Sequence, residues 1–207
     1  MSDHRTPSAR GPYRKTAETR TAILDAALEV FAVSGFHSGS LRDIARRVGM
    51  SNGGILHHFA DKETLLAAVL DRRDEVDIEA VRQLTRDGES ALHALIHLAR
   101  SNEAKVEIVR MYAILSTEAT ALDHPAHAHF VDRYMRTRVF VREAFDALES
   151  LGRLKPGVDA ESAAIGTIAI MDGLQTQWLL DPETVDMSTQ LARYLGAMTE
   201  IEFSEEV

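Results

Sequence analysis

The 207-residue sequence contains no cysteine. This absence excludes a disulfide framework and a thiolate metal site, and it is typical of a protein of the reducing cytoplasm. No apolar run approaches the roughly 20 residues that a membrane-spanning helix requires, so we expect no membrane partner. Residues 1–15 contain four Arg or Lys, but no apolar segment follows them. This pattern argues against a signal peptide and predicts a disordered arm.

Positive charge is scarce overall, with 23 Lys and Arg against 32 Asp and Glu and a net charge of -9. The two parts of the chain differ in sign. Residues 1–62 hold nine Lys or Arg against six Asp or Glu, a balance of +3, whereas residues 63–207 hold fourteen against twenty-six, a balance of -12. Because phosphates repel an acidic surface, only the N-terminal part is suited to face nucleic acid.

Apolar residues at helical spacing cover almost all of the remaining chain. We find no internal repeat and no alternating strand pattern longer than a few residues. The pattern predicts an all-α fold of about nine helices in two parts. The expected helices span residues 16–34, two short segments within 40–60, and then 62–86, 89–101, 105–120, 126–151, 160–180 and 187–203.

Residues 40–62 carry the densest local signals in the chain. Ser40 is a good N-cap, and Asp43 three residues later favours a helix N-terminus. Gly49 follows the last apolar residue of this short helix, where a left-handed C-cap residue is expected, and Ser51 can cap the next helix. Two short helices joined by a tight turn form a helix-turn-helix, whose second helix enters the major groove of DNA.

The same stretch resembles the TetR (tetracycline-repressor-like) family of transcriptional regulators. The matching residues are Ile44-Ala45, Val48-Gly49-Met50-Ser51, Gly53, Ile55, His58-Phe59 and Lys62-Glu63-x-Leu65, with a first helix over residues 21–31 and its exit at Ser34-Gly35-Phe36. The resemblance covers about the first third of the chain. The sequence departs from the family at Leu56 and His57, where an aromatic pair headed by Tyr is usual. This departure concerns the bases that are read and not the docking mode.

Beyond the expected disordered arm (residues 1–15), the resemblance implies a three-helix helix-turn-helix DNA-binding domain (16–61) and a C-terminal helical bundle for effector binding and dimerisation (62–207). It also implies a homodimer on a near-palindromic DNA operator and a small-molecule effector, with no cofactor. The helix-turn-helix pattern alone, without the resemblance, also predicts DNA binding.

Several residues are candidates for reading bases. Arg42 suits the O6 and N7 atoms of guanine, although a solvated surface arginine is the alternative. Asn52 is the main polar reader, with an adenine preference, and Gly53 and Gly54 permit close approach of the backbone to DNA at a cost of about 1 kcal/mol each. Leu56 either touches a thymine methyl group or belongs to the core.

The phosphate contacts are expected from His57 and His58, by resemblance, and from Lys62 at the N-terminus of the next helix. The full set of predicted DNA-binding residues is Ser40, Arg42, Ser51, Asn52, Gly53, Gly54, Leu56, His57, His58 and Lys62.

Two histidine groups are candidates for metal binding, but we predict no metal. The first, His93 and His97, has the i, i+4 spacing of zinc ligands but lacks a third ligand at fixed spacing. The second is His124, His127 and His129, next to a proline that indicates a helix start. Polar residues at packing edges are the simpler interpretation of both groups.

Large apolar or amphipathic residues on three helices are candidates for a ligand pocket, and a place in the core is the equally weighted alternative. They are Met111, Tyr112, Leu115, Glu118, Phe130, Tyr134, Met171, Gln175 and Trp178. The last two helices carry apolar faces beside small residues, which allow close helix approach. The resemblance implies that the dimer forms there, and a place in the monomer's own core is the alternative. The predicted interface residues are Ile165, Ile168, Ala169, Leu191, Leu195 and Met198.

The sequence therefore predicts a DNA-binding transcriptional regulator and not an enzyme, with a ligand-released repressor as the preferred form. A hydrolase or lyase that uses the histidines with Glu118, Asp123 or Asp132 is the competing class. No nucleophile elbow, glycine-rich phosphate loop or metal signature supports it. A helical adaptor that binds only protein is the third class, but it leaves the helix-turn-helix chemistry unexplained.

Overall fold

The computed structural model describes residues 11–203, and the side chains of all of these except residues 11–15 and 89. Over this range the chain forms nine α-helices and no β-strand, apart from an isolated bridge between Leu154 and Thr199. The predicted all-α fold of about nine helices is confirmed. The helices are α1 (Gly11–Ser38), α2 (Leu41–Arg47), α3 (Asn52–His58), α4 (Lys62–Leu84), α5 (Gly88–Glu103), α6 (Val106–Glu118), α7 (His127–Ser150), α8 (Ala160–Leu180) and α9 (Met187–Met198).

The first helix differs from its predicted bounds at both ends. Its backbone is helical from Gly11, so residues 11–15 of the predicted disordered arm are helical, and residues 1–10 lie outside the described residues. At its other end, Gly35 adopts φ 64° and ψ -172°, which interrupts the helix one residue after the predicted end at Ser34. Only glycine adopts this region of backbone space readily.

Side-chain caps fix most of the other helix starts. The side chains of five N-cap residues accept a hydrogen bond from the backbone N–H three residues later, and each such cap stabilises its helix by about 0.5–2 kcal/mol. These caps are Ser40, Ser51, Asp61, Asp159 and Asp186. Asp87 forms a reciprocal capping box with Ser90 at the start of α5.

Two hydrophobic cores hold the helices together. The first joins α1–α4 to α6 and the start of α7, with Phe31, Phe59, Leu66 and Met111 among its buried side chains. The second joins α5, α7, α8 and α9. Because α4 and α6 share the first core with the helix-turn-helix, a displacement of either helix is transmitted by packing to the motif.

Candidate nucleic-acid interface and effector cavity

The helix-turn-helix has a buried inner face and an exposed outer face. Ile44, Ala45, Ile55 and Phe59 are buried, and they hold α2 and α3 against α1 and α4. The turn between the two helices passes through Gly49 at φ 68°. This packing leaves one side of α3 free to face a partner.

The outer face carries most of the predicted base-reading residues. Arg42, Asn52, Gly53 and Leu56 are exposed, and the exposed fraction of Leu56 is 45%. Its exposure decides against the core alternative that the sequence left open for Leu56. A shallow groove runs between the α2 residues and the start of α3, where Asn52 stands at its edge. The outer face can therefore present the polar amide of Asn52 and the apolar side chain of Leu56, which suits a thymine methyl group, to the same partner.

The two glycines of α3 differ in what surrounds them. A Cβ on Gly53 would meet only the Ser51 Oγ atom, at 3.8 Å, so packing within the chain does not require glycine there. A Cβ on Gly54 would lie 3.0 Å from the terminal methyl group of Met50, which partly explains that glycine by packing. Of the two glycines, only Gly53 has no explanation within the chain, so close approach of an external partner is an explanation for that glycine alone.

The serines and histidines of the motif are partly engaged within the chain. Ser40 Oγ accepts from Asp43 N at 3.1 Å, and Ser51 Oγ accepts from Gly54 N at 3.1 Å, so both act as caps. The Ser40 hydroxyl also donates to Asp43 Oδ2 at 2.6 Å. His57 is exposed, whereas His58 is half-buried beside it, with 5.5 Å between the ring centroids. His57 is therefore better placed than His58 to reach a phosphate.

The structure gives Lys62, the first residue of α4, a role within the chain, while its phosphate contact stays a prediction. Its ammonium donates to the carbonyl oxygens of Phe36 at 2.8 Å and of Gly39 at 3.1 Å, and lies 4.2 Å from the centroid of the Phe36 ring. The half-buried side chain thus ties the end of α1 to α4. The physical reason is that the chain leaves α1 through Gly35, and its carbonyl groups need donors.

Arg20 is a structural residue of the motif that the sequence interpretation missed. Its Nη1 atom donates to the carbonyl oxygen of His58 at 3.1 Å, and its guanidinium lies 4.1 Å from the centroid of the Phe59 ring. Arg20 therefore fixes the C-terminal end of the recognition helix to α1. Arg20 and His58 are 38 residues apart in the sequence, so no local sequence pattern predicts their contact.

Glu118 lies at a joint between α6 and the end of α1, and not in a ligand pocket as predicted. Its Oε2 atom accepts from Phe36 N at 2.8 Å, and a Cβ on Gly35 would overlap its Oε1 atom. The buried His124 faces the same carboxylate, with 3.5 Å between His124 Nε2 and Glu118 Oε2. Since His124 Nδ1 accepts from Ala126 N at 3.2 Å, a neutral ring carries its proton on Nε2, which lies on the side of Glu118 but does not meet the geometry of a hydrogen bond. Burial lowers the pKa of His124 despite the nearby carboxylate, which favours the neutral ring.

An interior cavity of about 80 Å³ lies between α4, α5, α6, α7 and α8. Five of the predicted pocket residues line it, namely Tyr112, Phe130, Tyr134, Met171 and Gln175. Ile168, predicted for a dimer interface, also lines it.

The other predicted pocket residues are core or joint residues. Met111 and Leu115 have no exposed surface and belong to the first core, while Trp178 is buried in the second core. The sequence alone could not distinguish the cavity-lining residues from the core residues. An apolar helix face has the same residue pattern whether it packs against a neighbouring helix or borders a cavity.

A buried charged network forms one wall of the cavity, and the sequence interpretation missed it. Asp74 and Asp77 on α4 are 4% and 7% exposed. Asp77 pairs with Arg73 on the same helix, and Asp74 pairs with Arg133 of α7. The Tyr112 hydroxyl donates to Asp74 Oδ1 at 2.8 Å. Paired and hydrogen-bonded in this way, the carboxylates are tolerated inside the bundle.

The two carboxylates of the network differ in pKa. Burial raises the pKa of Asp77, and the charges of Arg73 and Arg133 only partly offset it. For Asp74, burial acts in the same direction, but His129, Arg133 and Tyr112 outweigh it and lower the pKa. Asp74 is therefore the firmly ionised member of the pair.

An apolar groove of about 490 Å³ adjoins the cavity on the outer side, between α4, α5 and α7. The groove and the cavity share five lining residues, which are Asp77, Leu98, Arg133, Thr137 and Met171. The groove also contains Ile78, Val81, Leu95 and Phe140. Cavity and groove therefore adjoin across these shared residues, and the groove has the volume and the apolar lining of a small-molecule site.

The structure corrects part of the predicted dimer interface. Leu191 and Leu195 have no exposed surface because α9 packs them into the second core, and Met198 is half-buried against the same core. Ile165 and Ala169 of α8 are exposed, with 50% of Ile165 accessible. The apolar face of α9 thus belongs to the monomer, while the outer face of α8 remains uncovered.

Four of the five histidines of the two candidate metal groups, all but His97, have contacts within the described part of the chain. The His93 ring packs against Phe203 with 4.9 Å between centroids, His127 Nδ1 lies 2.8 Å from the carbonyl oxygen of Ala119, and His129 contacts Asp74. Among residues 11–203, no group of three or more His, Asp or Glu side chains is arranged to hold a metal ion. In the same range, no helix combines the length and the apolarity needed to cross a membrane.

The exposed recognition helix on a buried three-helix scaffold, joined to a helical bundle with an internal cavity, defines a DNA-binding regulator. Comparisons with known proteins give the family. The family profile described as bacterial regulatory proteins, tetR family, matches residues 23–69. The profile described as BetI-type transcriptional repressor, C-terminal, matches residues 89–200, which is more than half of the chain. The chain belongs to the TetR family of transcriptional regulators, and the resemblance stated from its motif is confirmed.

Curated relatives and solved structures agree with this assignment. The chain is 26% identical to the HTH-type transcriptional regulator AcrR of Shigella flexneri, with 93% of each chain covered. It is 28% identical to the HTH-type transcriptional regulator TtgR of Pseudomonas putida, with 90% of this chain and 92% of the relative covered. The structure of SmeT, the repressor of the Stenotrophomonas maltophilia multidrug efflux pump SmeDEF, superimposes with a TM-score of 0.71 at 23% identity, covering 93% of this chain and 96% of SmeT. SmeT has also been solved in complex with triclosan.

Proposed function

We propose that this regulator is a cytoplasmic repressor that binds a near-palindromic operator as a homodimer and is released from it by a small-molecule effector. The observation that carries the DNA-binding part is the exposed α3 face, where Asn52, Gly53 and Leu56 share one side above a fully buried scaffold. The match to a repressor profile over the C-terminal part supports repression over activation. The names of the relatives support a regulator over an enzyme.

Selection of bound sequences from random duplex DNA tests this function directly. We expect enrichment of a near-palindrome whose half-sites are centred about one helical turn, roughly 34–36 Å, apart or a multiple of it. Enrichment of a sequence without two-fold symmetry would contradict the homodimeric reading. No enrichment over the input pool would contradict sequence-specific binding.

The substitution Asn52→Ala is expected to relax the base preference at one position of each half-site. A bidentate amide contact discriminates against wrong bases by about 1–3 kcal/mol, so affinity should fall on the preferred site and change little elsewhere. His57→Ala serves as the matched control, because loss of a phosphate contact should weaken all duplexes about equally. Binding isotherms on a panel of single-base variants measure both effects. Identical profiles for the two variants would show that the assigned roles are wrong.

The homodimer is proposed to form through the outer face of α8, flanked by α7. Ile165 and Ala169 lie on this face, and Val131 and Met135 are exposed on α7 with accessible fractions of 56% and 50%. The pairing of two such helices from each protomer would bury a contiguous apolar surface, which monomers seldom expose. A two-fold axis there would also place the two α3 helices symmetrically for a palindrome.

The substitution Ile165→Glu is expected to give a folded monomer, because it places an unpaired charge in the proposed interface without touching either core. Sedimentation should show the change of mass, and circular dichroism should show unchanged helicity. Leu151→Glu introduces the same charge at another exposed apolar residue, 69% accessible, and should leave the dimer intact. A dimer of unaltered strength in Ile165→Glu would place the interface elsewhere.

The effector is proposed to occupy the cavity and the adjoining groove. Asp77 and Arg133 line both spaces, and α4, which carries Asp77, begins at Lys62 against the DNA-binding helices. A ligand that prefers one position of α4 shifts the equilibrium between DNA-competent and DNA-incompetent spacings. By linkage, effector and operator then weaken each other's binding by the same factor, which titrations of each in the presence of the other would measure.

A further inference from the structure

We infer that the joint between α6 and the end of α1 is a pH-sensitive switch, in which protonation of the buried His124 ring weakens operator binding. The joint consists of Glu118, His124 and the backbone of Phe36. This inference rests on the operator binding of the proposed function and goes beyond the proposed small-molecule effector, because here the proton itself is the signal. It follows from the state of the His124 ring, from the carboxylate beside it and from the position of Phe36 before the helix-turn-helix.

The His124 side chain has no exposed surface, and only one of its ring nitrogens is hydrogen-bonded. The Nδ1 atom accepts from Ala126 N at 3.2 Å, whereas the Nε2 atom has no hydrogen-bond partner in the part of the chain that the structure describes. Protonation of the neutral ring would put a hydrogen on Nδ1, where it would face the N–H group of Ala126, donor against donor. The charged ring is therefore incompatible with this contact, and the ring or the turn at residues 124–126 must move.

Glu118 connects the ring to the backbone of Phe36. Its Oε2 atom accepts from Phe36 N at 2.8 Å and lies 3.5 Å from His124 Nε2. While the ring is neutral, it donates no hydrogen bond to this oxygen, and the bond from Phe36 N holds the carboxylate. A positively charged ring would attract the same carboxylate in this partly buried place, in competition with Phe36 N.

Charged and titratable groups act on the His124 ring from each neighbouring element. From the end of α1, the centroid of the His37 ring lies 5.4 Å away, and a charge on His37 opposes a charge on His124. From α6 and the loop that follows it, Glu118 and Asp123 favour the charged ring. From α4, Lys62 brings a further positive charge to the joint.

Burial has the largest effect on the charge state of His124. It lowers the pKa of the ring, and the neighbouring carboxylates offset this effect only in part. At the start of α7, His127 Nδ1 lies 2.8 Å from the carbonyl oxygen of Ala119, so its proton is directed at that carbonyl group and not at His124. The His124 ring is therefore neutral at pH 7 and becomes charged only as the pH falls below the ordinary histidine value of about 6.5.

Phe36 is the point at which two helices of the bundle hold the DNA-binding part of the chain. Its N–H group donates to Glu118 of α6, and its carbonyl oxygen accepts from Lys62 at the start of α4. The same ammonium donates to the carbonyl oxygen of Gly39, which directly precedes Ser40, the N-cap of α2. Loss of the Glu118 bond therefore releases one side of the segment that positions α2 and α3, and the recognition helix no longer has a fixed position relative to the bundle.

The substitution His124→Asn removes the titrating ring and keeps the contact with the turn. The side-chain oxygen of asparagine takes the position of Nδ1 and can accept from Ala126 N, but it does not titrate. Dissociation constants for the selected operator are measured by fluorescence anisotropy on the full-length protein, at constant ionic strength, from pH 7.5 to pH 5.5. Relative to this variant, the wild type should lose roughly threefold or more of its affinity by pH 5.5. The limit is about tenfold, because a released ring with the ordinary pKa of about 6.5 lies one unit above that pH.

Two further variants complete the test, and the histidines of the DNA-binding surface are present in all of them, so their contribution cancels. His97→Asn replaces an exposed histidine of α5 outside the joint and should follow the wild type. Glu118→Gln keeps an oxygen for Phe36 N but lacks the charge that attracts the ring, so it should lose less affinity than the wild type at pH 5.5. Circular dichroism at each pH shows which proteins are folded, and Glu118→Gln decides alone if His124→Asn is not.

Curves for His124→Asn and Glu118→Gln that run parallel to the wild-type curve would overturn the pH inference and leave the proposed repressor intact. The same result would follow if His97→Asn removed the pH dependence as completely as His124→Asn. Absence of specific binding by the wild type at pH 7.5 would instead contradict the proposed function, and the inference would fail with it.

Discussion

Replacement of Gly35 by alanine is expected to lower the free energy of unfolding by about 2.5–6 kcal/mol, the sum of two separate costs. The first is backbone strain, since φ 64° with ψ -172° is a region that L-residues avoid, at about 1–3 kcal/mol. The second is displacement of Glu118, whose carboxylate occupies the position that the new Cβ would take. Its movement breaks the 2.8 Å bond from Phe36 N, and a hydrogen bond to a charged group contributes about 1.5–3 kcal/mol.

A second glycine and a double-mutant cycle separate these costs. Gly152 has φ 66°, but a Cβ there would meet nothing within 4 Å, so Gly152→Ala carries only a backbone cost. In a Glu118→Ala background, the steric part of the Gly35→Ala effect should vanish and the two substitutions should couple strongly. Denaturant unfolding gives the four free energies. If Gly35→Ala costs no more than Gly152→Ala, contact with Glu118 does not restrict this position.

The features that local sequence signals determine could be predicted, and the structure agrees with them. A capping side chain and the amide that it receives are three residues apart, so Ser40, Ser51 and Asp61 were recognisable without knowledge of the fold. The apolar residues Ile44, Ala45 and Ile55 likewise lie at helical spacing, which is a sufficient signal for the buried face that the structure shows. The candidate DNA-reading surface can be predicted in turn, because it is the side of α3 opposite its buried residues and therefore stays exposed.

The features that depend on distant partners could not be predicted from the sequence. The ammonium of Lys62 has the same local setting whether it faces a phosphate or the carbonyl oxygen of Phe36, 26 residues away. Leu195 occupies an apolar helix face that suits a partner subunit as well as the monomer's own core. Asp74 and Arg133 are 59 residues apart, so each looked like an ordinary surface charge until the helices were placed together.

Removal of the Asp74 carboxylate is expected to destabilise the helical bundle. Asp74→Asn should lower the free energy of unfolding by about 2–4 kcal/mol, somewhat below the usual cost of breaking a fully buried ion pair because Arg133 is 27% exposed. Arg133 would lose its main counter-charge, and Asp77 would remain only at 4.0 Å from it. The buried Tyr112 hydroxyl would lose the carboxylate that accepts its hydrogen bond.

A matched control lies one turn earlier on the same helix. Asp71 also contacts His129, at 3.6 Å, but its side chain is 67% exposed. Asp71→Asn should therefore change stability by at most about 1 kcal/mol, as is usual for surface ion pairs. Urea unfolding at pH 7 compares the two variants. Similar losses in both would mean that the Asp74 contacts contribute no more than a surface pair.

The pH dependence of stability tests whether the negative charge of Asp74 causes the stability loss in Asp74→Asn. Burial would raise the pKa of this carboxyl, but His129, Arg133 and Tyr112 lower it below the ordinary value. A carboxyl with a lowered pKa contributes stability that is fully present above the unfolded-state pKa of about 4 and is lost as the pH falls through the folded-state value. Asp77, with a raised pKa, has the opposite sign, but it is present in both proteins and largely cancels in their difference. The stability gap between wild type and Asp74→Asn should thus be full at pH 7 and shrink below about pH 4. A gap of constant size down to pH 3 would assign the loss to packing and not to the ionised carboxylate.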